Sequence, residues 1–158
     1  MSLTSAYKAN WSLAPLMATG VAETLPITRS QVPDDRRMAI LPQYAGQHYL
    51  RLEMMIYRSM EHYCQAYQGG YWSFWELSNG SFYMVPELGT EPVRMVGPGN
   101  WFDGTMSLDA AGIVACLVAF NHMSWSGSDQ GRFIELFYGL RDWAGQHAEC
   151  GSIMAAID

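Results

Sequence analysis

Tyr71 to Glu87 reads YWSFWELSNGSFYMVPE, and the fold is read outward from this stretch. Aromatic side chains suit a pleated strand, and Asn79-Gly80 can adopt the positive φ angles of a tight two-residue turn, so the stretch predicts a β-hairpin. On its first strand Trp72, Phe74 and Glu76 alternate with Tyr71, Ser73, Trp75 and Leu77, which puts a large ring on both faces. One face is expected to meet helices. The other is either covered by the rest of the domain, the usual fate of bulky aromatics, or turned toward a partner.

Downstream, Pro92 to Val96 (PVRMV) reads as a third strand entered by proline. Gly97-Pro98-Gly99-Asn100 is a loop, and Trp101 to Met106 can follow as a further strand, giving an antiparallel meander of three to four strands. Upstream, Tyr49, Leu52, Ile56, Met60, Tyr63 and Tyr67 recur at helical spacing opposite Arg51, Arg58, Gln65 and Gln68. This predicts a helix from about Gly46 to Gln68, ended by Gly69-Gly70. Its Met and Tyr stripe is read as core.

Ser107 can cap a helix carrying Asp109 at its positive end, and Leu108 to Met123 is apolar nearly all round, as a central helix must be. Ser124 to Gly131 breaks it, and Asp129 or Ser128 can cap the next helix, whose inward stripe is Phe133, Leu136, Phe137, Leu140 and Ala144. Gly151 to Asp158 suits a short terminal helix. Four prolines break residues 1 to 42 into short elements, with a helix expected around Ser5 to Trp11 and a helical turn at Val32 to Arg37. The expected fold is a single α+β domain over residues 1–158, with several helices packed on a small antiparallel sheet.

The chain has 158 residues, enough to bury a core without staples. Charged residues make up only 15%, which leaves much neutral surface and favours association. Cys64, Cys116 and Cys150 are odd in number and lack paired spacing, which fits a reducing compartment better than a disulfide framework. The N-terminus lacks a basic segment followed by an apolar run, and no eighteen consecutive residues are apolar, so neither export nor a membrane span is expected.

Formal charge is −6, with 15 acidic residues against eight arginines and one lysine, Lys8. So few cations argue against direct DNA binding, which rests on many Lys and Arg contacts to phosphates. Imitation of DNA fits no better, because a duplex carries one charge per about 1.7 Å and scattered acids cannot reproduce that density. Residues 97–158 hold seven acids and two bases, a net −5, against eight acids and seven bases, a net −1, in residues 1–96.

Recognisable chemistry is sparse. His62 and Cys64 point to different sides of a helix, and His147 with Cys150 lacks two further ligands at metal spacing, so neither metal nor cofactor is expected. Asn121-His122 has no nucleophile motif beside it, since Ser124 to Ser128 is not a nucleophile elbow. The glycine pairs at 69–70 and 97–99 carry no Lys-Ser/Thr and open no helix, so they are not nucleotide loops.

YWSFWELSNGSFYMVPE, SLDAAGIVACLVAFNHMSW and FYGLRDWAGQHAECGSIMAAID resemble, in this order, the signature blocks of the ArdB/KlcA antirestriction family. The resemblance implies a small protein of the bacterial cytoplasm, carried by plasmids or other mobile elements. It implies relief of type I restriction of incoming unmodified DNA, on an α+β fold without recognised catalytic residues. The family differs from the ArdA type, which imitates DNA, and that contrast agrees with the charge reading.

The expected mechanism is contact with the type I restriction-modification complex, or with a host factor it depends on, through aromatic and neutral surface. Candidate contacts are Trp72, Trp75 and Glu76 on the hairpin and Arg141, Asp142, His147 and Glu149 in the terminal block, since Trp and Arg commonly anchor interfaces. Two alternatives are a plasmid maintenance or copy-control accessory and a hydrolase using His122 or His147 with a nearby acid. Oligomeric state is not readable.

Overall fold

The computed structural model describes residues 25–158; the helix expected at Ser5 to Trp11 lies outside them. Three strands form the main sheet, in the order β1 (Arg29–Gln31), β2 (Trp72–Leu77), β3 (Phe82–Pro86), all antiparallel. The hairpin is as the sequence reads. Gly80 turns at φ +91°, and Trp75 pairs with Tyr83. The rest of the meander differs. Among the described residues β4 (Val93–Val96) pairs only with β5 (Asp103–Met106), in a separate two-stranded ribbon. The main sheet takes its third strand from residues 29–31, inside the proline-broken segment, where three exposed residues give no alternation to read.

Among the described residues five α-helices pack with these strands: α1 (Arg37–Ala45), α2 (Tyr49–Tyr63), α3 (Leu108–Trp125), α4 (Gln130–Gly145) and α5 (Cys150–Ile157). A 3-10 turn at Asp34–Arg36 leads into α1. α2 stops before the expected glycines. Cys64 turns extended, its N–H donating to Met60 O at 2.8 Å, and Tyr67 packs beyond the helix as a buried partner of Trp72.

α3 is the central element. Ser107 Oγ accepts from Ala110 N–H at 3.1 Å, capping its first turn. Ile113, Val114, Ala115 and Cys116, four consecutive positions that go round the helix, are all fully buried. By length and apolarity it could cross a membrane, yet 67% of it is buried inside the domain, as for the core helix of a globular fold. It meets β3 so closely that a Cβ on Gly112 would stand 2.2 Å from Met84 O. Four residues along, Cys116 Sγ accepts from Met84 N–H at 3.3 Å, satisfying a buried backbone donor. α4 buries Phe133, Leu136, Leu140 and Ala144 of the expected stripe, leaves Phe137 partly buried, and packs on the hairpin turn. There Ser81 Oγ donates to Leu136 O at 2.8 Å and Asn79 Nδ2 to Gly139 O at 2.9 Å. Asp129 precedes α4 but does not cap it with its side chain; its carboxylate holds Arg132 at 2.7 Å.

Candidate functional site

The densest polar cluster lies at the N-terminus of α3, where the helix dipole and unpaired N–H groups favour negative charge. Asp109 stands in the first turn. Its Oδ1 accepts from Tyr83 OH of β3 at 2.8 Å and from Arg29 of β1 at 2.6 Å, and Arg29 also donates to Tyr83 OH at 2.6 Å. Burial first, then the Asp109 carboxylate, pushes the Tyr83 phenol well above its ordinary value, so Tyr83 remains a donor. Arg29 lies 4.1 Å above the Trp75 ring, which fixes the guanidinium between an aromatic face and a carboxylate.

The connection from α4 to α5 closes the other side. His147 Nε2 lies 2.8 Å from Asp109 Oδ2, and His147 Nδ1 accepts from Glu149 N–H at 3.0 Å. Since Nδ1 receives a backbone proton, the tautomer inferred from this network carries its hydrogen on Nε2 and donates to Asp109. Glu149 Oε1 accepts from Ser107 N–H at 2.9 Å, and Oε2 accepts from the Ser107 hydroxyl. Glu91 Oε1 takes the next free amide, Leu108 N–H, at 2.7 Å. Three carboxylates thus gather at one helix N-terminus: Glu149 and Glu91 accept from the backbone N–H groups of Ser107 and Leu108, and Asp109 is held by side-chain partners.

The structure places the expected contact residues apart. Trp75, His147 and Glu149 meet through Arg29 and Asp109. Trp72 does not: it is 2% exposed, tilted against Tyr57 at 5.5 Å and edge-on to Tyr67 at 5.6 Å, and its indole N–H donates to Tyr67 OH at 3.1 Å. A ring held this way offers no accessible surface, so the expectation that it contacts a partner is corrected. Glu76 faces α1, bound by Arg36 and Tyr44 at 2.6 Å each; the bonds from Tyr44 and Arg36 hold its carboxyl below the usual range. Arg141 and Asp142 are exposed on α4. Desolvation raises the Asp142 carboxyl, and Arg141 opposes that rise.

Arg29, Tyr83 and Asp109 were not singled out from the sequence as a cluster. Asp109 carried the one usable signal, its place at a helix start. The described residues also present rings that sequence reasoning passed over, with Trp101 97% and Trp125 79% exposed.

An α+β core with its best-connected ionisable groups engaged in capping its own central helix defines a protein whose distinctive groups serve architecture before chemistry. The chain belongs to the antirestriction protein family, whose model matches residues 65–158. It is 40% identical over 146 residues to an antirestriction protein KlcA of Escherichia coli, covering 89% of this chain and 99% of that protein. It is 38% identical to the uncharacterized protein YafX of Escherichia coli strain K12, covering 84% and 88%. A solved structure matches with a TM-score of 0.79 and 36% identity, over 87% of this chain and 99% of the other. That structure belongs to work reporting for the KlcA and ArdB proteins a novel fold and antirestriction activity against type I DNA restriction systems in vivo but not in vitro.

Proposed function

We propose that this protein relieves type I restriction of incoming unmodified DNA in the bacterial cytoplasm. In this reading it contacts the type I restriction-modification complex, or a host factor that complex depends on, and does not imitate DNA. The observation carrying the non-mimic part is the fate of six of its carboxylates. Glu76 is held by Arg36 and Tyr44, Asp103 by Arg94, Asp109 by Arg29, and Asp129 by Arg132, while Glu91 and Glu149 cap α3. A DNA mimic needs free carboxylates in a regular row, and these are neutralised by partners within the fold.

Activity of the KlcA and ArdB proteins in vivo but not in vitro favours, for this relative, a target that includes a component of the living cell. Arg141 and Asp142 remain accessible for that contact, with Trp75 half-buried at the sheet. The hydrolase alternative finds little support at His147, because both ring nitrogens are already engaged and neither is free to take a substrate proton.

The test is the plating efficiency of unmodified phage on cells carrying a type I system, with the methylation state of surviving DNA. Restored plating with methylation intact is expected. Unchanged plating at verified soluble expression would remove this reading. Full protection by both Arg141→Ala and Asp142→Ala would remove those two residues from the contact surface.

A further inference from the structure

We infer that Trp101 is an anchor inserted into an apolar pocket of a protein partner whose rim is cationic, an inference that rests on the antirestriction reading above. Three observations carry it. First, the indole is 97% exposed and lies outside the core formed by the described residues. Second, Trp101 sits at φ +63°, a left-handed conformation that is unfavourable for a bulky residue and natural to Gly or Asn.

Third, the neighbouring residues hold it there. Asn100 Nδ2 donates to Ala156 O at 2.7 Å and Asp158 O at 3.2 Å, tying the loop to the end of α5. Asn100 Oδ1 accepts from Phe102 N–H at 3.2 Å, and Gly97 N–H donates to Phe102 O at 2.8 Å. Gly97 is needed for this clamp, since a Cβ there would fall 1.7 Å from Asn100 Oδ1. A loop written Gly-Pro-Gly-Asn could have carried a small residue at 101 without strain. It instead carries the largest apolar side chain, on a backbone held by the clamp, and buries almost none of it among the described residues. Local strain over-determined by surrounding contacts is a mark of function, and rigid Trp side chains are the commonest interface anchors.

Charge selects the partner. A ring stacking on single-stranded nucleic acid needs a basic track for the backbone. The cation on this ribbon, Arg94, is engaged by Asp103 through bonds of 2.8 and 2.7 Å, and the charge left exposed beside the clamp is that of Asp158. A protein pocket lined by apolar groups and rimmed by Lys or Arg is the complement of this surface.

The test compares wild type with Trp101→Asn, Trp101→Phe and Asp158→Lys in the phage-plating assay, with Tm measured for each. Asn suits the left-handed backbone, so Trp101→Asn is expected to melt no lower than wild type and yet to lose protection by about tenfold or more. Trp101→Phe should retain most of the protection and Asp158→Lys should reduce it. Full protection by folded Trp101→Asn overturns the anchor while leaving the antirestriction reading in place, whereas wild type that fails to protect removes both. Full protection by Asp158→Lys overturns the cationic rim. Indole fluorescence titrated with an oligothymidylate supplies the remaining arm: quenching in wild type that Trp101→Asn loses would assign the site to nucleic acid and overturn the proposal.

Discussion

Gln146 stands in for a strand beside Ile27: its Oε1 accepts from Ile27 N–H at 3.1 Å and its Nε2 donates to Ile27 O at 2.7 Å. The side-chain amide thereby pairs with both polar groups of one backbone position leading into β1, as a neighbouring peptide would. This secures the start of a three-residue edge strand that has little burial to hold it. Gln146→Ala is expected to destabilise the fold by about 1 kcal/mol, because one partially exposed bidentate contact is lost. Hydrogen exchange should accelerate at residues 27–31 before any other strand.

Gly112→Ala tests the apposition of α3 and β3. The added methyl would need space already occupied by Met84 O, and neither a central helix nor a strand can move cheaply. A loss of about 3 kcal/mol or more is expected from such overpacking, read as a fall in the denaturant midpoint. Full stability would mean the two elements sit further apart than described.

Acid sensitivity should be traceable to Glu76. Its folded carboxyl is held below the ordinary value of 4.5 by Tyr44 and Arg36. The unfolded chain therefore binds that proton first as pH falls. The stabilisation is fully present above about 4.5 and is lost as pH drops through the folded value. Glu76→Gln should cost about 1 kcal/mol at neutral pH, the contact being partly exposed, and should flatten the acid limb of the stability curve. An unchanged acid limb would show that these bonds are not maintained in solution.

The cysteines should separate by reactivity. Burial pushes the Cys116 thiol up to about 12, and Cys64 is also buried, while Cys150 is half-exposed at the start of α5. Native protein treated with iodoacetamide at neutral pH is expected to carry one label, at Cys150, with the other two labelled only after unfolding. Labelling of Cys116 in the native state would mean that α3 and β3 separate readily.

Legibility followed the length of the signal. The hairpin, the all-round apolarity of α3 and the stripe of α4 are long patterns, and the structure reproduces them. The glycine pair at 69–70 misled because Cys64 ends α2 by turning extended, for which the side-chain pattern gives no cue. The third strand was misplaced because residues 29–31 are all exposed, whereas Pro92 to Val96 looks like a strand and is one, but pairs elsewhere. The cluster around Asp109 was the least legible. Arg29 and Asp109 are 80 positions apart, and a contact at that separation leaves no periodic trace. Trp72 and Trp75 show the same limit within one strand: identical residues, one sealed by Tyr57 and Tyr67, the other half-open beneath Arg29.

The all-round apolarity of α3 bears on how the protein is made. Its 18 residues depend for part of their cover on α4, whose buried stripe lies against them. A chain lacking α4 would expose part of a helix long and apolar enough to cross a membrane. Truncation within α4 would bring this exposure about. Such fragments should be insoluble or membrane-seeking, so premature termination in this gene yields a burden on the host's quality control as well as a loss of activity.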